Sequence, residues 1–318
     1  MSTPYEKSAA VVVLPAVGGG RLDDPLLLRW LSRSDLVKAA EPEELLGSIL
    51  ARLNLPYSTD GLGALRMWGQ TGDRPTVWVA AADPVYLEPQ LDHLRLHAIA
   101  GDTMPASDLR PLFDHLQRTL QGDSDFGFAR VGSCGYLRAS EPIATADVPS
   151  YVAHLDKPND YMPGGDESGT YRSLISEVEM SLHDHEINLR RQNEGLQPVN
   201  CLWLWGGGYA PEQRTVPHPP LFADDSLLKG YWLSKTGVVE PWPGTVAACL
   251  DKSVAGFVAV LPADGGAALL QSCLRELRSA LLSGRLSGLR LMFRDGLSVD
   301  VRPHDNWRFW RPVSKLLG

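Results

Sequence analysis

The sequence predicts an α/β protein in which a mainly parallel sheet is flanked by helices. Two segments near opposite ends of the chain, 9–14 and 257–261, are continuous apolar runs without the alternation of a half-exposed strand. Such runs are typical of parallel strands that helices cover on both faces. Helical patterns follow both runs, as in a chain that alternates strands and helices. The chain has 318 residues, 44% of them hydrophobic, which is enough to bury a large core.

The first strand and the helix after it have clear end signals. The strand stops at Pro15 and a glycine triplet at 18–20, which predicts a loop. Asp24 and Pro25 then favour a helix start, because aspartate caps a helix well and proline fits its first position. A second amphipathic helix is predicted over 42–53, with its large apolar side chains on one face.

A smaller α+β lobe is predicted over 70–145, inserted between two parts of the α/β core, 1–69 and 146–318. Its elements are two strands, a helix and two further short strands, at 76–82, 94–99, 106–120, 126–131 and 135–137. Asp83 and Pro84 follow the first of these strands. We interpret them as a structural turn in preference to a catalytic acid, because Asp-Pro commonly starts turns.

The second half of the chain predicts more of the core. A proline- and glycine-rich stretch at 157–169 predicts a linker or mobile loop. A long helix over 172–193 precedes a strand over 199–205 that is apolar on both faces, which we interpret as parallel. A helix over 269–282 and a hairpin around Asp295 and Gly296 follow. An aromatic cluster near the end of the chain is predicted to close the core, and its members are Trp307, Phe309 and Trp310.

Charge and cysteine content limit the classes of partner and compartment. The net charge of −8 argues against nucleic acid or an anionic membrane as the main partner. The segment 275–315 carries a net positive charge, because it has nine basic and four acidic residues. We interpret it as a solvated face in preference to an anion site. The four cysteines show no CxxC spacing, and we find neither a signal peptide nor an apolar stretch of bilayer length. A cytoplasmic location is predicted.

Three glycines, Gly206, Gly207 and Gly208, directly follow the predicted strand at 199–205. Ligands of open α/β sheets lie beyond the carboxyl ends of strands, and glycine lets the backbone approach a ligand closely. The phosphate-loop Lys-Ser/Thr pair and the dinucleotide-binding spacing are both missing here. A ligand site and a sharp strand exit beneath packed tryptophans both remain open.

The histidines offer only weak metal or catalytic patterns. His183 and His185 are two positions apart on a predicted helix and therefore do not face one another. We interpret His185 as a core residue and His183 as a surface residue. His304 and Asp305 could be a ligand pair, or a base with its orienting acid. A Gly-x-Ser-x-Gly nucleophile motif does not occur in the sequence, so no complete catalytic constellation is predicted.

Several segments resemble a bacterial family, the RpfE-type regulatory proteins, which are often described as phosphoglycerate mutase-like. The resemblance is scattered over most of the chain and is most specific in its centre. The segments that carry it are Glu177-Val-Glu-Met180, His183-Asp-His185, Asn188-Leu-Arg190, Gly195 to Asn200, Trp203 to Gly208, Ala82 to Leu87 and Trp307 to Arg311.

The stretch 188–208 is also distantly similar to archaeal-type cofactor-independent phosphoglycerate mutases. An Asn-x-x-Arg, a Gly and a Pro-x-Asn there precede a strand that ends in Trp-Gly-x-Gly. This resemblance implies a core like that of the alkaline phosphatase superfamily, whose mutases use two metal ions and a phosphorylated serine. It also implies metal ligands at strand ends where this chain has Pro15, Gly266 and Gly296. His304 and Asp305 are the one histidine motif that corresponds.

The resulting prediction is a diverged phosphoglycerate mutase-like protein that is regulatory, lacks two-metal catalysis and binds a small anionic ligand or a protein partner. The alternatives are a cofactor-independent mutase or related phosphotransfer enzyme, and a protein-interaction module suggested by nine tryptophans. No cofactor is expected, and a divalent metal is expected only for the enzyme alternative. Substrate, partner and oligomeric state stay open. The ligand-binding candidates are Asn188, Arg190, Asn200, Trp205, Gly206, Gly207, Gly208, His304 and Asp305.

Overall fold

The structure of the chain is a computed structural model. The residues that it describes are 9–41, 43–99, 104–121, 125–165, 168–253 and 255–317. The chain divides into two compact units. The first unit contains Met1–Tyr57, Gln213–Asp225 and Trp232–Gly318, and the second contains Ser58–Glu212 and Ser226–Tyr231. Among the described helices, none combines the length and the apolar character that crossing a bilayer requires.

The first unit is built on a mainly parallel sheet, which confirms the predicted α/β class. Its seven strands in the described part of the chain, numbered along the whole sequence, are β1 (Ala9–Leu14), β2 (Asp35–Lys38), β8 (Leu221–Phe222), β9 (Val239–Glu240), β10 (Phe257–Val260), β11 (Gly288–Phe293) and β12 (Leu297–Val301). Their order is β2-β12-β11-β1-β10-β8-β9. The central β1 is parallel to β10 and β11, so that Val12 lies beside Ala259 and Leu291. The predicted hairpin of β11 and β12 is present and antiparallel.

Helices cover this sheet and complete its core. They are α1 (Pro25–Ser32), α2 (Leu45–Leu53), α8 (Val246–Lys252) and α9 (Ala267–Leu282). The predicted start of α1 is confirmed, because the Asp24 carboxylate accepts a hydrogen bond from the amide of Leu26 at 2.9 Å. Every residue of β1 is buried, together with apolar side chains such as Trp30 and Leu274. The predicted start of the second helix at Pro42 lies outside the described residues.

The second unit contains an antiparallel sheet of five strands in its described part. They are β3 (Trp78–Pro89), β4 (Leu94–Ala98), β5 (Phe126–Val131), β6 (Cys134–Ala139) and β7 (Cys201–Gly208). The order is β4-β3-β6-β5, and β7 pairs with β3. Its helices are α3 (Leu62–Thr71), α4 (Ala106–Leu120), α5 (Ser168–Leu182) and α6 (Glu186–Asn193). The remaining helix, α7 (Ser226–Ser234), has residues in each unit. The predicted lobe at 70–145 supplies β3 to β6, and β7 comes from the predicted core.

The prediction that β7 is a parallel core strand is wrong. It runs antiparallel to β3, with Ala82 opposite Leu204 and Val85 opposite Cys201. A continuous apolar strand indicates that both of its faces are buried, but it does not indicate whether the strand is parallel or antiparallel to its neighbours. Here α3 and α5 pack against β7, so its residues are buried in an antiparallel sheet as fully as in a parallel one.

The turn predicted at Asp83 and Pro84 is also wrong, because β3 continues through both residues to Pro89. Proline lacks an amide hydrogen and is tolerated in a strand only where no neighbour needs that donor. Along the same side of β3, β6 pairs only as far as Ala81, and β4 begins at Val85. Pro84 therefore occupies the short gap between these two neighbouring strands.

The single helix predicted over 172–193 is divided into α5 and α6. His185 caps α6, since its Nδ1 accepts a hydrogen bond from the amide of Ile187 at 3.2 Å. The interpretation of His185 as a core residue is therefore wrong, because it is a half-buried cap at the start of α6. A side chain that bonds to nearby backbone amides competes with the helix and favours a break.

The prediction that the last aromatic residues close the core is wrong as well. Trp307, Phe309 and Trp310 are 76%, 74% and 69% exposed. The residue between them, Arg308, donates to Asp35 at 2.9 Å, and Arg311 donates to the carbonyl oxygen of Ser34 at 2.7 Å. The arginines hold this segment against the first unit, and the aromatic side chains project into solvent.

Candidate functional site

The candidate residues belong to different units. Asn188, Arg190, Asn200, Trp205 and the glycines at 206–208 lie in the second unit, whereas His304 and Asp305 lie in the first.

Asn188 and Asn200 use their amides to fix the beginning of β7. The buried Asn188 donates to the carbonyl oxygens of Leu182 and Val199 at 2.9 and 2.8 Å and accepts from the amide of Val199. Asn200 exchanges a pair of hydrogen bonds with the backbone of Leu87 in β3, at 2.8 and 2.9 Å. These contacts explain both asparagines as structural residues, since buried polar groups need partners.

Arg190 also has a structural partner. Its guanidinium donates to Asp108 of α4, a buried carboxylate. The neighbouring Arg191, only 1% exposed, lies 3.4 Å from the same carboxylate and donates to the carbonyl oxygen of Gln197. Two arginines and one aspartate thus join α6 to α4, and sequence reasoning identified only Arg190 among them.

Trp205 is part of a buried polar cluster around Asp83. Its indole Nε1 donates to Asp83 Oδ2 at 2.7 Å, and the Ser150 hydroxyl donates to the same atom at 2.9 Å. Arg66 donates to Asp83 Oδ1 at 2.6 Å. Its guanidinium also lies 4.9 Å from the ring centroid of Tyr136 and 5.3 Å from that of Trp205, in cation–π geometry.

Burial and neighbouring charge shift the pKa of Arg66 in this cluster in opposite directions. Burial disfavours the charged form of Arg66, but Asp83, together with Tyr136 and Cys134, has the larger combined effect and raises the pKa of Arg66. Burial raises the pKa of the Tyr136 hydroxyl, which donates to Gln70 at 2.6 Å. Sequence reasoning missed Arg66. The available signal was its position as one charged residue within the apolar helix α3.

The glycine run at the end of β7 is required by packing. A Cβ atom on Gly207 would lie 2.3 Å from the Trp78 ring, and one on Gly208 would lie 2.4 Å from the amide nitrogen of Gly61. Gly206 has a φ of 60°, in the left-handed region. These close approaches support the interpretation as a tightly packed strand exit.

A cavity of about 540 Å³ adjoins the same glycines. Its volume lies within the range of small-molecule sites. Gly207 and Gly208 form part of its wall, together with Thr59, Asp60, Trp78, Thr145, Asp147 and Tyr209. Among the described residues, the lining contains two carboxylates and no lysine or arginine. An anionic ligand would meet unfavourable charge here, so the cavity does not support the anion expected beside these glycines.

His304 and Asp305 do not form a hydrogen-bonded pair. Their nearest nitrogen and oxygen atoms are 3.7 Å apart, which exceeds a hydrogen bond. Asp305 is buried, accepts from the amide of Arg302 at 2.8 Å and lies 3.2 Å from Arg308. Its contacts are those of a residue that holds the C-terminal segment in place. This geometry does not support a base with its orienting acid.

The carboxyl ends of β1, β10 and β11 lie side by side in the first unit, and we call this region the carboxyl edge. The amide of Arg294 donates to the carbonyl oxygen of Leu14 at 3.1 Å, and its guanidinium donates to that of Leu261 at 3.2 Å. Asp295 accepts from the amide of Gly18 at 3.3 Å, and the Lys38 ammonium lies 3.6 Å from the same carboxylate.

The residues of the carboxyl edge do not fit a two-metal centre. Such a centre needs several carboxylate and imidazole ligands that hold the ions a few ångströms apart. The carboxyl edge instead presents the carboxylate of Asp295, already bonded to Gly18, beside the cations of Arg294 and Lys38. Throughout the described ranges, no group of three or more histidine, cysteine, aspartate or glutamate residues is placed to hold a metal ion.

No protein-family model matches the chain. A 2,3-bisphosphoglycerate-independent phosphoglycerate mutase from Methanosarcina barkeri is 29% identical over 125 residues, or 38% of this chain and 31% of the relative. One from Methanothrix thermoacetophila is 33% identical over 129 residues, or 36% of this chain and 31% of the relative. The chain is distantly similar to archaeal cofactor-independent phosphoglycerate mutases.

These matches span about a third of the relatives' length. Among solved structures, a cofactor-independent phosphoglycerate mutase from Thermoplasma acidophilum has a TM-score of 0.42 and 16% identity, covering 93% of this chain and 90% of the other. The PH0037 protein from Pyrococcus horikoshii has a TM-score of 0.46 and 12% identity, covering 98% and 92%. The resemblance to RpfE-type regulatory proteins stays a prediction.

Proposed function

We propose that this chain is a diverged phosphoglycerate mutase-like protein that acts in regulation by binding a small anionic ligand, without two-metal phosphotransfer. The observation that carries the proposal is the chemistry of the carboxyl edge. In open α/β sheets this edge is the usual ligand site. Here the guanidinium of Arg294 lies across it, bonded to the carbonyl oxygen of Leu261.

The position of Arg294 favours an anion over a metal ion. An arginine side chain carries five N–H donors and a permanent positive charge, and the bond to Leu261 uses one of those donors. A divalent cation beside it would be repelled, whereas a carboxylate or phosphate could accept two parallel hydrogen bonds. Lys38 adds a second positive charge nearby, which Asp295 offsets.

Calorimetry with inorganic phosphate and with 3-phosphoglycerate tests this proposal. We expect saturable binding that weakens about tenfold or more in Arg294→Gln, because one charge-assisted contact contributes about 1.5–3 kcal/mol. Arg172→Gln, which removes an exposed arginine in the second unit, is the matched control and should bind normally. Stoichiometric tight binding of two manganese or zinc ions would contradict the proposal.

A second candidate is an active cofactor-independent phosphoglycerate mutase. The sequence matches favour it, since the curated relatives described above carry that name. A coupled assay with 3-phosphoglycerate, with manganese and magnesium supplied, distinguishes the two candidates. Turnover above the blank would support the enzyme and overturn the first proposal. Turnover at the blank level, together with phosphate binding that depends on Arg294, would reject the enzyme.

A further inference from the structure

We propose that the cavity at the end of β7 binds an organic cation, a small molecule or side chain that carries an amine or guanidinium group on a short apolar stem. The cavity lies entirely within the second unit and measures about 540 Å³. A cavity of that volume is large enough to hold an arginine side chain or a small molecule of similar size. The inference is independent of the anion proposed at the carboxyl edge.

The charge of the lining selects a cation. Asp60 and Asp147 are the charged side chains among the residues that line the cavity, and both are exposed to solvent. Each carboxylate would attract a cation at contact distance by about 1 kcal/mol in water-like surroundings, or about fivefold in affinity. An anion of the same shape would be repelled by both.

The aromatic lining suits an organic cation in particular. Tyr209, which is about half exposed, lines the cavity, and Trp78, which is only 3% exposed, forms part of its wall. Aromatic faces attract amines and guanidinium groups, and they also bury apolar stems. A bare metal ion is disfavoured, since the described residues offer no group of three potential ligands, here or elsewhere.

Hydrogen bonds and close packing hold the wall of the cavity in place. The amide of Gly207 donates to the Thr145 hydroxyl at 2.9 Å, and its carbonyl oxygen accepts from the amide of Gly61 at 3.1 Å. Gly207 has no room for a Cβ beside Trp78. A preformed wall reduces the conformational entropy that binding would otherwise cost. The glycine run therefore forms part of the cavity wall and also allows the tight packing at the end of β7.

The experiment measures binding of agmatine, which carries a guanidinium and an amine on a four-carbon stem. Calorimetry at low salt gives the affinity, and the amide shifts of Gly207 and Gly208 in a ¹⁵N spectrum report where it binds. Asp60→Asn and Asp147→Asn should each weaken binding about fivefold, and the double variant should weaken it more. Asp73→Asn is the matched control, because Asp73 is an exposed aspartate of the same unit outside the cavity.

Three results with agmatine would overturn the proposal. They are the absence of saturable agmatine binding to the wild-type chain, equal weakening by Asp73→Asn, and amide shifts that leave Gly207 and Gly208 unmoved. Added sodium chloride provides a measurement that needs no variant, since binding by exposed carboxylates should weaken as salt rises. Glycerol and inorganic phosphate, as neutral and anionic probes, should leave the two glycine amides unshifted. A shift with phosphate would contradict the charge argument.

Discussion

The carboxylate of Asp83 binds the guanidinium of Arg66 at 2.6 Å inside the second unit, where both side chains are largely buried. The same carboxylate accepts hydrogen bonds from Trp205 and Ser150 through its other oxygen. One residue thus joins β3 to β7, to α3 and to the segment before α5. Because a buried ion pair compensates the desolvation of each partner, removing one member leaves an uncompensated charge.

Asp83→Asn should therefore lower the free energy of unfolding by about 3 kcal/mol. Urea denaturation followed by circular dichroism measures the change. Asp73→Asn, at an exposed aspartate of the same unit, should have an effect within about 0.5 kcal/mol of zero. The double variant Arg66→Met with Asp83→Asn should recover part of the loss, because no buried charge remains. A full loss in the double variant would contradict this account.

The stability of the second unit should depend on pH through His185. Burial, and then the nearby His115, lower the pKa of His185 below its ordinary value of 6.5. The unfolded chain therefore binds more protons than the folded chain at mildly acidic pH, and the free energy of unfolding falls as the pH drops below 6.5. Protonation would also place a hydrogen on Nδ1, which now accepts from the amide of Ile187.

His185→Asn separates these effects, because asparagine is a good helix cap that does not titrate. We expect this variant to reduce the loss of stability between about pH 7 and pH 5, and to leave stability at neutral pH nearly unchanged. His154, in the same unit, also has a lowered pKa and keeps part of the dependence. His183→Asn, at an exposed histidine two residues away, should leave the profile as in the wild type. An unchanged profile in His185→Asn would disprove the assignment.

The α/β class could be predicted from the sequence because β1 and β10 are buried on both faces, and only a strand between helical layers needs that many apolar residues in succession. The direction of β7 could not be predicted, since the same apolar pattern also occurs in an antiparallel strand that is covered on both faces. The exposure of Trp307 could not be predicted from the sequence for a related reason. Hydrophobicity predicts burial, but the paired arginines beside it determine which way the segment faces.

The candidate site was predicted in part. The glycine run was found because three adjacent glycines end an apolar strand, but its cause, the close approach of Trp78 and Gly61, depends on tertiary packing. Arg66 and Asp83 are 17 residues apart, and no local pattern links them. The acidic lining of the cavity likewise comes from separate segments, around Asp60 and Asp147.

Gly207→Ala should destabilise the second unit by about 2–3 kcal/mol, because the new methyl group would lie 2.3 Å from the Trp78 ring and the core would have to shift. Gly164→Ala is a matched control, since a Cβ there would meet no atom of the described residues within 4 Å. Its effect should be small. Thermal unfolding of both variants provides the comparison, and equal melting temperatures would show that the glycine is not required for packing.

The aromatic residues near the C-terminus should contribute little to stability, in contrast to the tryptophans of β7. Trp307→Ala and Trp310→Ala remove exposed side chains and should each change the free energy of unfolding by about 0.5 kcal/mol or less. Trp203→Ala removes a buried indole, whose Nε1 donates to the carbonyl oxygen of Val148 at 2.9 Å, and should cost about 3–5 kcal/mol. Urea denaturation compares the three variants.

A large loss in Trp307→Ala or Trp310→Ala would mean that these rings are covered in solution. A dependence of that loss on protein concentration would then distinguish the two possible causes. Burial against a second copy makes stability increase with concentration by mass action, whereas burial within one chain does not. If the losses are small and independent of concentration, the exposed rings have no structural role. The hypothesis of a protein-interaction module can then be tested with these variants, because they fold normally.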